Sequence, residues 1–206
     1  LVKRRGIFLI ADEVYREFVY DGKKHTSLFH FPEVQEQTLV IDSISKRYSA
    51  CGARIGAILT KNHELLKQIL KLAQARLCPP TLEQLAAEAV IDLKEQYFQE
   101  VLEEYQKRRD ILFKRLSSME GVLCSKPAGA FYTVAKLPIK DAEDFAVFLL
   151  RDFSYQGETV MLAPAEGFYA TPGLGKDQVR IAYVLKGEDL ERSMDILAEA
   201  LKTYKG

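Results

Sequence analysis

A run of six residues without a polar side chain, Gly6 to Ala11, stops abruptly at Asp12 and Glu13. It is too short for the core of a signal peptide, and acidic residues follow at once. It reads as a strand buried on both faces, and Leu39 to Ile41 reads as a second. Strands of this kind belong to a mostly parallel sheet covered by helices, so the first part of the chain is expected to be α/β. Arg54 to Leu59 is a third candidate strand.

The pattern then changes. Asn62 is placed to cap a helix from His63 to about Arg76, with Leu66, Ile69, Leu70 and Ala73 on one face. Pro79 and Pro80 break it, and helix resumes near Thr81 and runs, with one interruption, to Met119, where Gly121 is a stop. Beyond lie strands at Ala130 to Ala135, Val160 to Leu162 and Val179 to Val184. Phe145, Phe148 and Leu149 mark one helix, and Leu190, Met194, Leu197 and Leu201 stripe a terminal one. The expected organisation is an incomplete α/β portion over 1–78, a linking helical region over 79–120 and a small α+β domain over 121–206.

Composition narrows the function classes. Lysine plus arginine number 29 and aspartate plus glutamate 29, so no cationic excess favours a nucleic acid. The longest apolar runs fall far short of the roughly 18 residues of a spanning helix. Cys51, Cys78 and Cys124 are scattered, show no metal spacing, and fit a reducing, cytoplasmic compartment. No metal site is expected. The three histidines, His25, His30 and His63, are given no catalytic role.

The chemistry concentrates in Ser43-Ile44-Ser45-Lys46-Arg47-Tyr48-Ser49-Ala50-Cys51-Gly52-Ala53-Arg54-Ile55-Gly56-Ala57. Two hydroxyls stand beside a lysine, and an arginine follows eight residues after that lysine among small residues. Hydroxyls plus a guanidinium make a phosphate site. A lysine beside it, desolvated by protein, suits Schiff-base formation. Lys46 taken alone is also compatible with an ordinary surface lysine. Asp12 ends a strand, at the edge where open α/β sheets bind ligands, and Tyr15 lies three residues on. Asp12 as a turn residue and Tyr15 as packing are the plain alternatives.

With "ADEVY", "SISKRYSACGARIGA" and "QVRIAYV" in this order, the chain resembles the class I/II pyridoxal-phosphate aminotransferases of fold type I, and among them bacterial aspartate aminotransferase-like enzymes. The resemblance covers essentially the whole chain. It implies the C-terminal part of that fold's large domain, with its mostly parallel sheet and helices, followed by the small α+β domain. It implies pyridoxal 5'-phosphate as cofactor, with Lys46 as the Schiff-base lysine and proton shuttle. Asp12 would keep the pyridine nitrogen protonated, and Tyr15 would donate to the phenolate oxygen. Ser43, Ser45 and Arg54 would hold the phosphate. Arg180 would clamp the substrate α-carboxylate, and the Gly129 to Tyr132 stretch, Phe131 included, would approach the substrate. Arg76 is left between a dimer-interface contact and a helix C-terminal charge, and Tyr169 between lining and packing.

The same resemblance implies transfer of an amino group between an amino acid and a 2-oxoacid, with aspartate and 2-oxoglutarate as the pair, in a homodimer. A C–S β-lyase, another transaminase, or the sensing domain of a transcription regulator shares these motifs. Family members carry further elements upstream: a phosphate-binding turn, a ring-stacking aromatic and an asparagine. The chain is therefore expected to be a C-terminal fragment, inactive alone, whose open strand edge invites association.

Overall fold

The computed structural model describes residues 1–205 and divides into two compact units, Leu1–Glu100 and Val101–Gly206. Helix α1 (Val2–Arg5) ends at Gly6, whose φ of 62° is the left-handed cap that glycine adopts without a Cβ penalty. The first strand, β1 (Leu9–Asp12), therefore begins three residues later than the apolar run suggests. It pairs in parallel with β2 (Thr38–Ser43), placing Asp12 opposite Ile41. A four-residue helix, α2 (Ile44–Arg47), follows β2 directly.

Strand β3 (Gly56–Leu59) returns antiparallel to β2, with Ser43 opposite Gly56. Arg54, expected at the start of that strand, lies outside it in left-handed backbone with φ 55° and ψ 37°. The central strand carries the buried positions Thr38 and Val40. Its neighbours do not show burial on both faces: Ile10 is 67% and Ile58 44% exposed, because no element of this unit covers them. Helix α3 (His63–Arg76) is capped by Asn62, which accepts from the Leu65 N–H at 2.9 Å. Helix α4 (Thr81–Ala89) follows the two prolines, and the unit boundary falls inside α5 (Glu95–Ser117).

The turn after β1 is held by one carboxylate. Glu13 is 5% exposed and accepts from the Ser27 hydroxyl and the Leu28 N–H, both at 3.0 Å, while His25 Nε2 lies 3.0 Å from its other oxygen. Burial pushes its carboxyl up, but the bonds from His25, Leu28 and Ser27 together outweigh this and hold it below its ordinary value. A carboxyl with a lowered folded-state pKa contributes stability that is present above the ordinary value of about 4.3 and is lost as pH falls through the lowered one. Glu13→Gln in the natural protein is expected to cost about 2 kcal/mol at neutral pH and to flatten the loss of stability on acidification. Urea midpoints at neutral pH and at about pH 4 check this. An unchanged acid slope would remove Glu13 from the account.

In the second unit, β4 (Leu123–Cys124), β5 (Tyr132–Lys136), β6 (Ala163–Pro164) and β7 (Gln178–Ala182) form an antiparallel sheet ordered β4-β5-β7-β6. The strand expected over Val160 to Leu162 is displaced to Ala163–Pro164, where the backbone pairs with Arg180 and Val179. One sheet face is apolar: Ala135, Val179 and Ile181 are buried. Helices α6 (Ala142–Arg151) and α7 (Gly187–Thr203) add Phe145, Leu149, Leu190, Met194 and Leu197 to that core. Asp141 caps α6, accepting from the Glu143 and Asp144 N–H groups. Leu112 and Leu116 of α5 are buried as well, and Gly121 has the positive φ expected of a stop.

Candidate active site

In the first unit, the site is built where β2 runs into α2 and β3 begins. Ser43 is the N-cap of α2: its hydroxyl accepts from the Ser45 N–H at 3.1 Å, donates to the Ile55 carbonyl at 2.8 Å and lies 2.8 Å from the Ser45 hydroxyl, which is left to donate to it. The two serines are therefore a pair, oriented together by the strand end. With Arg54, Ile55 and Gly56 they line a cavity of about 250 Å³. Arg54 Nη1 donates to the Cys51 carbonyl at 2.7 Å, which bends the guanidinium back over its own loop. Ser49 and Arg54 both take left-handed backbone, which non-glycine residues adopt at a cost.

Gly56 is required here by contact. A Cβ at this position would lie 2.9 Å from the Asp42 carbonyl oxygen, closer than such atoms approach. Gly56→Ala is expected to push β3 from β2 beside the two serines and to weaken cofactor binding by about tenfold or more. Titration of the natural apoprotein with pyridoxal phosphate checks this; unchanged affinity would show that the strand pair yields freely.

Lys46 projects from α2 with Nζ 5.9 Å from the centre of the Tyr15 ring, so the turn after β1 and the helix after β2 bring these two residues together. Both are partly covered. Asp12 closes β1 as an exposed residue, and its Oδ1 accepts from the Val14 N–H at 3.3 Å, which is the turn role. Two hydroxyls, a guanidinium and a nearby amine suit a phosphate-bearing aldehyde such as pyridoxal phosphate: the cavity supplies donors for the phosphate and Lys46 the nucleophile.

The second unit carries its own polar feature. Arg180 lies mid-strand on the exposed face of β7, not within a buried pattern, because Val179 and Ile181 take the core face. Its guanidinium is held over two rings, 4.8 Å from the centre of Phe168 and 5.6 Å from that of Tyr132. Phe131 is partly buried and stacks on Tyr105 at 5.3 Å. The segment preceding it is fixed by two residues that the sequence pattern did not single out. Arg109, fully buried, donates to the Pro127 carbonyl at 3.1 Å, and the Tyr183 hydroxyl donates to the Ala130 carbonyl at 3.0 Å. Tyr169 packs its ring against Gly175 and donates to Gln178 Oε1 at 2.6 Å, which favours packing. Arg76 is the exposed last residue of α3. Glu13, Arg109 and Phe168 were missed because a charge or ring in isolation carries no periodic signal; Glu13 could have been suspected only from its adjacency to Asp12.

Among the described residues, no helix is long and apolar enough to cross a membrane, and no cluster of potential metal ligands occurs.

A chain that splits into an α/β unit and an α+β unit of this kind has the architecture of the fold type I transferases. The family model for aminotransferase class I and II matches residues 1–197, and the chain belongs to that family, whose enzymes use pyridoxal phosphate. It is 31% identical over 205 residues to aromatic-amino-acid aminotransferase 2 of Thermococcus litoralis, covering 97% of this chain and 50% of that protein. It is 28% identical to aspartate aminotransferase of Rhizobium meliloti, again over 97% of this chain and 50% of the relative. Among solved structures, α-aminoadipate aminotransferase of Thermus thermophilus, complexed with N-(5'-phosphopyridoxyl)-L-leucine, superposes with a TM-score of 0.84 at 25% identity, covering 98% of this chain and 52% of that one. The chain spans about half the length of the relatives it matches.

Proposed function

We propose that the natural protein to which these residues belong is a pyridoxal-phosphate aminotransferase that passes an amino group from aspartate to 2-oxoglutarate, working as a homodimer in the cytoplasm. The observation that carries this reading is the placement of Lys46 over Tyr15, on the helix that leaves the Ser43, Ser45 and Arg54 cradle. The cofactor supplies an electron sink for the electrons released when the substrate's α-carbon loses its proton.

The chain's own residues do the rest. Ser43, Ser45 and Arg54 bind the phosphate and fix its orientation. Asp12 holds a proton on the ring nitrogen, and the Tyr15 hydroxyl donates to the ring oxygen. Lys46 Nζ would take the proton from the substrate α-carbon and deliver it to the cofactor carbon that carries the amino group away. Arg180, its planar fork steadied by Phe168 and Tyr132, binds the substrate α-carboxylate with two parallel bonds, and Phe131 borders that carboxylate subsite. Aspartate is preferred as donor because several relatives carry that name, those of Rhizobium meliloti and Bacillus subtilis among them. Arg180 itself recognises only the carboxylate common to all amino acids. The 206-residue chain alone is proposed to be silent, since its first sheet leaves Ile10 and Ile58 uncovered.

The test is to load the natural protein with pyridoxal phosphate, add aspartate, and follow the visible absorbance. Loss of the band, restored by 2-oxoglutarate, is expected. Conversion by an aromatic amino acid and not by aspartate would keep the transaminase and discard the aspartate assignment. No conversion by any amino acid would discard the reading.

A further inference from the structure

Four charged side chains that the proposed reaction does not use close into a ring beside the site. Arg47 Nη2 donates to both carboxylate oxygens of Asp42, at 3.1 and 3.0 Å, and Arg47 Nε lies 2.9 Å from Glu17 Oε1. Arg16 completes the circuit. Its Nη1 is 3.1 Å from Asp42 Oδ2, and its Nε donates to Glu17 Oε1 at 3.0 Å. Two guanidiniums each bridge the same two carboxylates, so the ring is neutral.

Its members come from three separate pieces of chain: the turn after β1, the end of β2, and α2. Each piece also carries a proposed site residue as an immediate neighbour. Arg16 follows Tyr15, Asp42 precedes Ser43, and Arg47 follows Lys46. Asp42 and Ser43 point to opposite faces of a strand, so the ring and the serine pair sit on opposite sides of the same backbone. The Ser43 N–H also donates to Asp42 Oδ1 at 2.8 Å, which ties the cap residue to the ring directly.

The ring is largely covered, with side-chain exposures of 15% for Arg47, 17% for Asp42 and 24% for Glu17. Exposed ion pairs contribute little, but ion pairs sharing partners in a covered network hold geometry even where, as between Arg47 Nε and Glu17, they make no hydrogen bond, and removing one member leaves its partners uncompensated.

We propose that the ring Arg16–Glu17–Asp42–Arg47 is a positioning device, and that Arg47 acts through it to set the spacing between Tyr15 and Lys46. The proposal rests on the reading of Tyr15 and Lys46 as cofactor-site residues. Arg47 is the critical member because it alone joins α2 to both other pieces.

The test uses the natural protein loaded with pyridoxal phosphate, at one fixed pH. The ratio of its longer- to its shorter-wavelength visible bands is recorded for wild type, Arg47→Met, Arg47→Lys, Tyr15→Phe and the Arg47→Met/Tyr15→Phe double variant. Melting of each apoprotein is recorded in parallel. Arg47→Met is expected to change the ratio by about threefold or more, the lower range for coupled neighbours in one network. Arg47→Lys should fall between it and wild type, since an ammonium keeps the charge but not the fork. In the Tyr15→Phe background, Arg47→Met should add little. A lower melting point with an unchanged ratio would overturn the proposal, and so would fully additive effects. Should Arg47→Met fail to fold, Arg16→Gln, at a more exposed corner of the ring, takes its place with the same expectations. A wild type without any visible band overturns the site reading, and this proposal with it; a normal wild-type band with unshifted variants overturns the proposal alone.

Discussion

Lys46→Ala in the natural protein is expected to lower transamination by about ten-thousand-fold while leaving cofactor binding largely in place. The magnitude follows from removing at once the covalent attachment and the proton carrier proposed for this lysine, and positioned general acid–base groups alone account for up to about 10⁴-fold. Binding survives because Ser43, Ser45 and Arg54 remain on the loop and strand end that hold them, and Ser43 is bonded to Ser45 and Ile55, not to Lys46. The measurement pairs single-turnover conversion of aspartate with equilibrium binding of pyridoxal phosphate. Loss of both together would mean that Lys46 is a structural support of the cradle. Retention of activity would mean that another amine does the chemistry.

The second large effect is expected at Arg54. Arg54→Leu should weaken pyridoxal phosphate binding by about a hundredfold, the range for one charge-assisted, two-pronged contact. Binding of pyridoxal, which lacks the phosphate, should change by less than about threefold, since the ligand contact proposed for Arg54 is with the phosphate alone. Because Arg54 already bonds the Cys51 carbonyl across its own loop, the substitution also frees a left-handed backbone position that leucine occupies no more easily. Arg54→Lys separates the two contributions: it keeps a charge and loses the fork. Equal losses for the phosphorylated and unphosphorylated ligands would show that the loop, not the phosphate contact, is what Arg54 maintains.

Much of this arrangement was legible in the residue order. The apolar runs located β1 and β2 and their parallel pairing, and the 3.6-residue stripes located α3, α6 and α7, with the cap residue Asn62 in place. These features are local: they depend on periodicity and on side chains that satisfy nearby backbone groups. Boundaries were less legible. Gly6 ended a short helix where an apolar run read as strand, and the strand expected over Val160 to Leu162 formed at Ala163–Pro164, because pairing with β7 decides which residues extend.

The sequence by itself determined the chemical inventory: a lysine among two serines and an arginine at fixed spacing, a carboxylate at a strand end with a tyrosine beyond it, and the family to which that order belongs. Only the tertiary structure decided that Tyr15 lies beside Lys46, that Arg180 rests between Phe168 and Tyr132, that Glu13 is buried under His25, Ser27 and Leu28, and that Arg16, Glu17, Asp42 and Arg47 close a ring. The reason is physical. Periodicity reports which face of an element is apolar, whereas a charge finds its partner across elements that only the pairing of strands and the return of loops bring within reach.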